Sequence, residues 1–134
     1  MPFRVQFPTR HTDTYAATGF VHAGVLLALT ELAYAAYERA AGLSKPAHIV
    51  SVEVRTRAEY RTPLPWQDGV TIEVETLAAH EGGFTQSFTL RNATTDRRVA
   101  SIEHDWVWLD TTSGRAMPLD PDVQAKLLAT PAPV

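Results

Sequence analysis

Positions 50 to 61 alternate without a break. Val50, Val52, Val54, Thr56, Ala58 and Tyr60 fall on one side, and Ser51, Glu53, Arg55, Arg57, Glu59 and Arg61 on the other. A period of two with one apolar and one charged side predicts a long strand in a sheet wet on one face. On this reading Glu53 belongs to the outer, charged face with Arg55, Arg57 and Glu59. Ile72, Val74, Thr76 and Ala78 repeat the alternation, as do Phe84, Gln86, Phe88 and Leu90, and a further long strand runs from Val99 to Asp110. Gln67-Asp68-Gly69, Gly82-Gly83 and Asn92 to Asp96 supply the turns. Phe3, Val5 and Phe7 predict a short first strand, and Ala116 to Leu119 a short last one.

From His22 to Ala41 the pattern is helical, rich in Ala, Leu and Glu, with Gly42 and Pro46 as the stop. The segment is apolar on nearly every face, which predicts a helix buried across the concave side of a curved antiparallel sheet. Glu31 is the only charged side chain between Thr14 and Tyr37. A buried carboxylate is paired, protonated or chemically employed. Asp120 before Pro121 marks a second, short helix to Leu128, and the tail from 129 to 134 is expected to fray. The order implies one α+β domain over residues 1–134. A leftover sheet edge or helix flank favours self-association.

Composition narrows the function classes. The chain has 134 residues, a net charge of −3 and no cysteine. There is no basic footprint for nucleic acid and no thiolate or disulfide chemistry. The first ten residues lack the apolar core of a signal peptide. Glu31, His22, Gly19 and Gly24 argue against a membrane span around residues 20–37, so a cytoplasmic protein is expected. No metal-ligand spacing, nucleophile elbow, P-loop or dinucleotide fingerprint is present, and no metal is expected.

The remaining chemistry centres on Glu31 and the helix start nine residues before it. A pocket carboxylate beside a Gly-containing helix start suits acyl transfer. Glu31 is the candidate base or nucleophile, and the backbone N–H groups of Ala23 and Gly24 are the candidate donors to a developing oxyanion. His22 either caps the helix or hydrogen-bonds near the reacting group. His104 alternates with Ile102 and Trp106 and reads as a core histidine.

Gly19-Phe20-Val21-His22-Ala23-Gly24 with Leu29-Thr30-Glu31 resembles G-x-x-H-G-G followed by an acid on the central helix. Glu59 to Leu64 with Asp68 is similar to "Y-x-x-P-L…G-D", and Asp110 to Arg115 with Pro118 to "D-x-x-T-G-R-x-x-P". These patterns, in this order, resemble the hotdog-fold acyl-CoA thioesterases of the 4-hydroxybenzoyl-CoA thioesterase-like superfamily. The resemblance implies hydrolysis of an acyl-CoA thioester, with coenzyme A entering only as part of the substrate. It implies coenzyme A contacts at Gly82, Gly83 and Thr85, and a site built between the protomers of a homodimer that assembles further to a tetramer. The residue facing Glu31 would come from the partner's Val54–Tyr60 strand, with Tyr60 as a pocket wall.

The chain departs from the pattern in three places. Ala23 replaces the middle residue of H-G-G but keeps its N–H. Ala35 stands where a Ser or Thr is common one turn beyond the acid. The sister subfamily's loop acid, in D-x-D-x-x-G, is represented only by Asp13 and Tyr15, and Asp13 serves only if the loop shifts. A non-catalytic acyl-thioester-binding protein is the alternative reading. A hotdog dehydratase or hydratase fits less well, because Gly24 precedes Glu31 by seven residues rather than five and the expected prolines are absent.

Overall fold

The computed structural model describes residues 2–132. The order is β1 (Phe3–Phe7), a 3-10 turn at His11–Asp13, α1 (Ala23–Ala40), β2 (Ile49–Tyr60), a 3-10 turn at Trp66–Asp68, β3 (Val70–His80), β4 (Gly83–Asn92), β5 (Arg98–Asp110), β6 (Arg115–Met117) and α2 (Pro121–Leu128). All strands pair antiparallel in the order β1-β3-β4-β5-β2, and β6 adds to β5 beyond the stretch that β4 covers. α1 packs on one face of this sheet, which is the hotdog arrangement expected from the pattern. The last strand covers Arg115–Met117 rather than Ala116–Leu119. Of the tail expected to fray, residues 133 and 134 lie outside the described residues.

Alternation builds the core. Phe84, Gln86, Phe88 and Leu90 of β4 point inward, beside Ala100, Ile102, His104, Trp106 and Trp108 of β5. α1 presents Leu26, Thr30, Ala33, Tyr34 and Tyr37 to them, a stripe at helical spacing. The Tyr34 ring stacks on Trp106 with centroids 4.5 Å apart, and Tyr37 meets Phe3 edge-on at 5.3 Å. Each such side chain contributes about 1.5–3 kcal/mol by leaving water.

Two expectations fail. The central helix is not buried on every side: Gly24, Ala28, Glu31 and Leu32 are exposed. The apolar residues on that face are mostly alanines, which favour a helix but have little surface to bury. Glu31 is therefore a surface carboxylate of this chain rather than a buried one.

The second correction concerns β2. Its register against β5 shifts between Glu53 and Arg55, where Val54 bulges out and stands 62% exposed. One extra residue reverses the side-chain phase. Upstream of the bulge Glu53 pairs with Trp106, on the helix side, while downstream Thr56, Ala58 and Tyr60 face that side. Glu53 thus leaves the outer face to which simple alternation assigned it. Arg55 and Arg57 remain outside, near Asp105 at 3.8 Å and Glu103 at 3.8 Å.

Candidate active site

The start of α1 is fixed by its own residues. His22 is the N-cap, and its Nδ1 accepts the N–H of Val25 at 3.3 Å. A side chain on Gly24 would press on the His22 ring at 3.2 Å, which accounts for glycine after the cap. Ala23 N–H donates to the Tyr15 hydroxyl at 3.1 Å, so this candidate donor already has an internal acceptor. Tyr15, Phe20, Ala23, Leu26, Tyr60 and Leu64 are among the walls of an apolar cavity of about 400 Å³ at the helix start. Burial, then the nearby Tyr15, raises the Tyr60 hydroxyl above its usual range. Tyr60, the expected pocket wall, meets Leu26 of the helix here.

Glu31 lies in a separate cavity of about 360 Å³, lined by Leu27, Ala28, Glu31, Glu53, Thr56 and His104. Gly24 and Glu31 are seven residues apart, about 10 Å of helix rise, and the glutamate side chain tilts back toward the helix start. A hydrogen bond to the Glu53 carboxylate is the largest influence on Glu31 and raises its pKa, followed by desolvation and the charge of Glu53; His104 opposes them. Two carboxyl groups that share a hydrogen bond need one proton between them, and the raised pKa favours it on Glu31.

His104 is 3% exposed and forms the floor. Its Nε2 lies 2.8 Å from Thr30 Oγ1, and its Nδ1 lies 2.8 Å from Thr56 Oγ1. The Thr30 hydroxyl donates to the Leu27 carbonyl at 2.6 Å, so it accepts from His104 Nε2–H. Nδ1 is then bare and accepts from Thr56. Burial lowers the pKa of His104, partly offset by Glu31, in keeping with a neutral ring. Thr76, Gln86, His104 and Thr56 stand in register across four strands, a polar row beneath the helix.

Other candidates fall elsewhere. Asp13 is buried in its turn: its Oδ2 accepts Arg10 N–H at 2.8 Å and its Oδ1 accepts Arg10 Nη2 at 3.2 Å. Burial alone would raise its pKa, but the bonds and charge of Arg10 hold it low. Ala35 lines a different cavity, with Val5, Phe7 and Leu32. The hydroxyls beside Glu31 come instead from Thr30 and Thr56. The Thr85 hydroxyl donates to Asp105 at 2.7 Å on the outer face. Gly83 is held against the Trp106 backbone and lies beside Phe84, two strands and about 10 Å from Glu53. Among the described residues, no group of three or more His, Asp or Glu side chains could hold a metal. No helix there is long and apolar enough to cross a membrane.

Glu53 and Thr56 escaped the sequence reading. Thr56 was already on the inward side of the alternation but carried no sign of a role, and the exposed Val54 is the mark of the bulge that brings Glu53 inward, though in sequence it continues the alternation.

A curved antiparallel sheet around one long helix, with a carboxylate facing outward from that helix, defines a hotdog-fold protein. The chain belongs to the thioesterase-like superfamily, whose family model matches residues 9–127. Solved structures agree on the fold. A 1,4-dihydroxy-2-naphthoyl-CoA thioesterase from Synechocystis is 17% identical, with 95% of this chain and 96% of that one covered at a TM-score of 0.80. A thioesterase from Thermus thermophilus, complexed with coenzyme A and Zn, is 24% identical, with coverage of 94% and 92% and a TM-score of 0.78. A DHNA-CoA thioesterase from Staphylococcus aureus is 14% identical, with coverage of 92% and 87% and a TM-score of 0.84. No curated protein gives a significant match by sequence.

Proposed function

We infer that this chain hydrolyses acyl-CoA thioesters. The observation that carries the reading is the Glu31 carboxyl, open to an incoming molecule in a cavity whose other polar groups are Glu53, Thr56 and the buried His104. Glu31 acts as general base on water, or attacks the carbonyl to give a mixed anhydride. The thioester carbonyl lies at the start of α1, where the N–H groups of Gly24 and Ala23 and the helix dipole favour negative charge. The acyl group occupies the apolar cavity between Tyr15, Leu26 and Tyr60, and the coenzyme A arm runs toward Gly82, Gly83 and Thr85. His22 serves by holding the first turn. Asp13 is a poorer acid, because Arg10 engages both its oxygens.

Both cavities lie along the exposed flank of α1, and β2 is an open sheet edge. A homodimer joined through β2 would supply the wall that each cavity lacks, and a tetramer would cover the exposed Leu32. The protein needs no cofactor beyond its substrate and works in the cytoplasm.

Thiol release from hexanoyl-CoA, palmitoyl-CoA and benzoyl-CoA, measured for the wild type and for Glu31→Gln, tests this. The expected result is turnover of at least one thioester and a loss of about 10²-fold or more in kcat for a folded Glu31→Gln protein. Release unaffected by the substitution defeats the role of Glu31. Binding without release supports the non-catalytic reading.

A further inference from the structure

We propose that Glu53 and Glu31 form an acid–base pair that holds one proton between them, carried by Glu31 at rest and passed to Glu53 as the thioester enters, so that Glu31 accepts a proton from water and Glu53 delivers one to the departing sulfur. This rests on the thioester-hydrolase reading and adds a residue to it. Three features of the fold support it. The bulge at Val54 turns Glu53 from the solvent face to the helix face. Glu53 then lines the same cavity as Glu31. His104, almost fully buried, forms the polar floor of that cavity, and its Nδ1 orients the Thr56 hydroxyl so that the oxygen's remaining lone pair is free for a carboxylic acid proton.

Among the described residues, no cation lines this cavity to hold both carboxylates ionised. From β5 the titratable group facing Glu31 is His104, neutral by burial. From β2 it is Glu53. Arg55 and Arg57 lie on the other side of the sheet, beside Asp105 and Glu103. Lys45 is bound to Glu38 at 2.7 Å. Two like charges in one cavity disfavour each other, so the pair retains a proton where a lone carboxyl has lost it.

In the step, the water oxygen bonds to the acyl carbon as one of its protons passes to Glu31. The carbon–sulfur bond then breaks, and the sulfur takes the proton of Glu53. The products are a carboxylic acid and a thiol, and the proton left on Glu31 restores the resting pair. A thiol is far more acidic than an alcohol (a cysteine thiol has a pKa of about 8.5), so a thiolate leaves readily, and the proton from Glu53 gives an advantage at the lower end of the usual ~10²–10⁴-fold.

The test is the pH–rate profile of the wild type, Glu53→Gln and Glu53→Asp on whichever of the three acyl-CoAs is turned over, with carboxyl titrations of the apo proteins by carbon NMR. The wild type should give a bell-shaped profile. Glu53→Gln should lose about 10²-fold in kcat and its alkaline limb, because the amide carries no titrating proton, and Glu31 should titrate at lower pH. Glu53→Asp should keep both limbs, and it carries the test if Glu53→Gln does not fold. A folded Glu53→Gln protein that keeps both limbs overturns the pairing while the hydrolase reading stands. A wild type inactive on all three thioesters removes the hydrolase reading and with it the acid–base step. In that case the NMR titration still shows whether a proton is shared, and two carboxyls titrating independently overturn that too.

Discussion

The Tyr15 hydroxyl sits 3.1 Å from the backbone nitrogen of Ala23, as acceptor for the first N–H of α1. It therefore stands where the proposed thioester oxygen would bind. Tyr15 is half exposed and belongs to a loop, so a substrate carbonyl can displace it. A hydrogen bond of this kind is worth about 0.5–1.5 kcal/mol net. Removing the hydroxyl should release the N–H and strengthen substrate binding. Tyr15→Phe is expected to lower KM by about 2–10-fold with little change in kcat. A raised KM or a lost kcat would show instead that the phenol contacts the substrate favourably.

The glycine pair of the β3–β4 hairpin separates into two roles. Gly83 takes φ of +154°, and a Cβ there would collide with the carbonyl oxygen of Trp106. At Gly82 a Cβ would only touch the His80 ring, at 3.4 Å. Gly83→Ala should destabilise the fold by more than about 1 kcal/mol, whereas Gly82→Ala should stay within about 1 kcal/mol of wild type. Urea unfolding of the two variants checks this. Equal stability would mean that β4 can move away from β5 at no cost.

Stability should fall in acid partly through Glu73. Its carboxylate accepts from Arg91 Nε at 2.8 Å and Arg4 Nη2 at 3.0 Å. Burial pulls its pKa upward, but the two arginines more than offset this and hold it below the ordinary value of 4.5. A depressed carboxyl stabilises the fold above its unfolded pKa, and the contribution is lost as pH falls through the folded value. The window is therefore below about pH 4.5. Glu31 has the opposite sign: its pKa is raised, so the fold favours its protonated form and loses that contribution as pH rises through the folded value. Glu73→Gln should remove about 1–3 kcal/mol at neutral pH and flatten the acid slope of the unfolding free energy. Parallel slopes for wild type and variant would rule this out.

Much of the architecture was written in local pattern. Phe84, Gln86, Phe88 and Leu90 alternate, and all four are buried. The helix from Ala23 to Ala40 and the short helix from Pro121 follow from propensity, capping and the stop at Gly42. The outward position of Glu31 beside Gly24 and Ala28, away from Ala33, also follows from helical spacing, though its exposure does not. Exposure depends on whether another surface covers that flank of α1, and composition is silent on this because alanine suits either setting.

The surroundings of Glu31 were decided only by tertiary structure. Strand alternation placed Glu53 outside, and one bulged residue, Val54, brought it in. A bulge depends on how two strands meet, and no residue of β2 announces it. The proton arrangement at His104 likewise depends on Thr30 from the helix and Thr56 from the edge strand, 26 positions apart in the chain and joined through one imidazole. Periodicity determines which side chains share a face of one element. Which faces meet, and which carboxyls then share a proton, depends on the register between elements far apart in sequence.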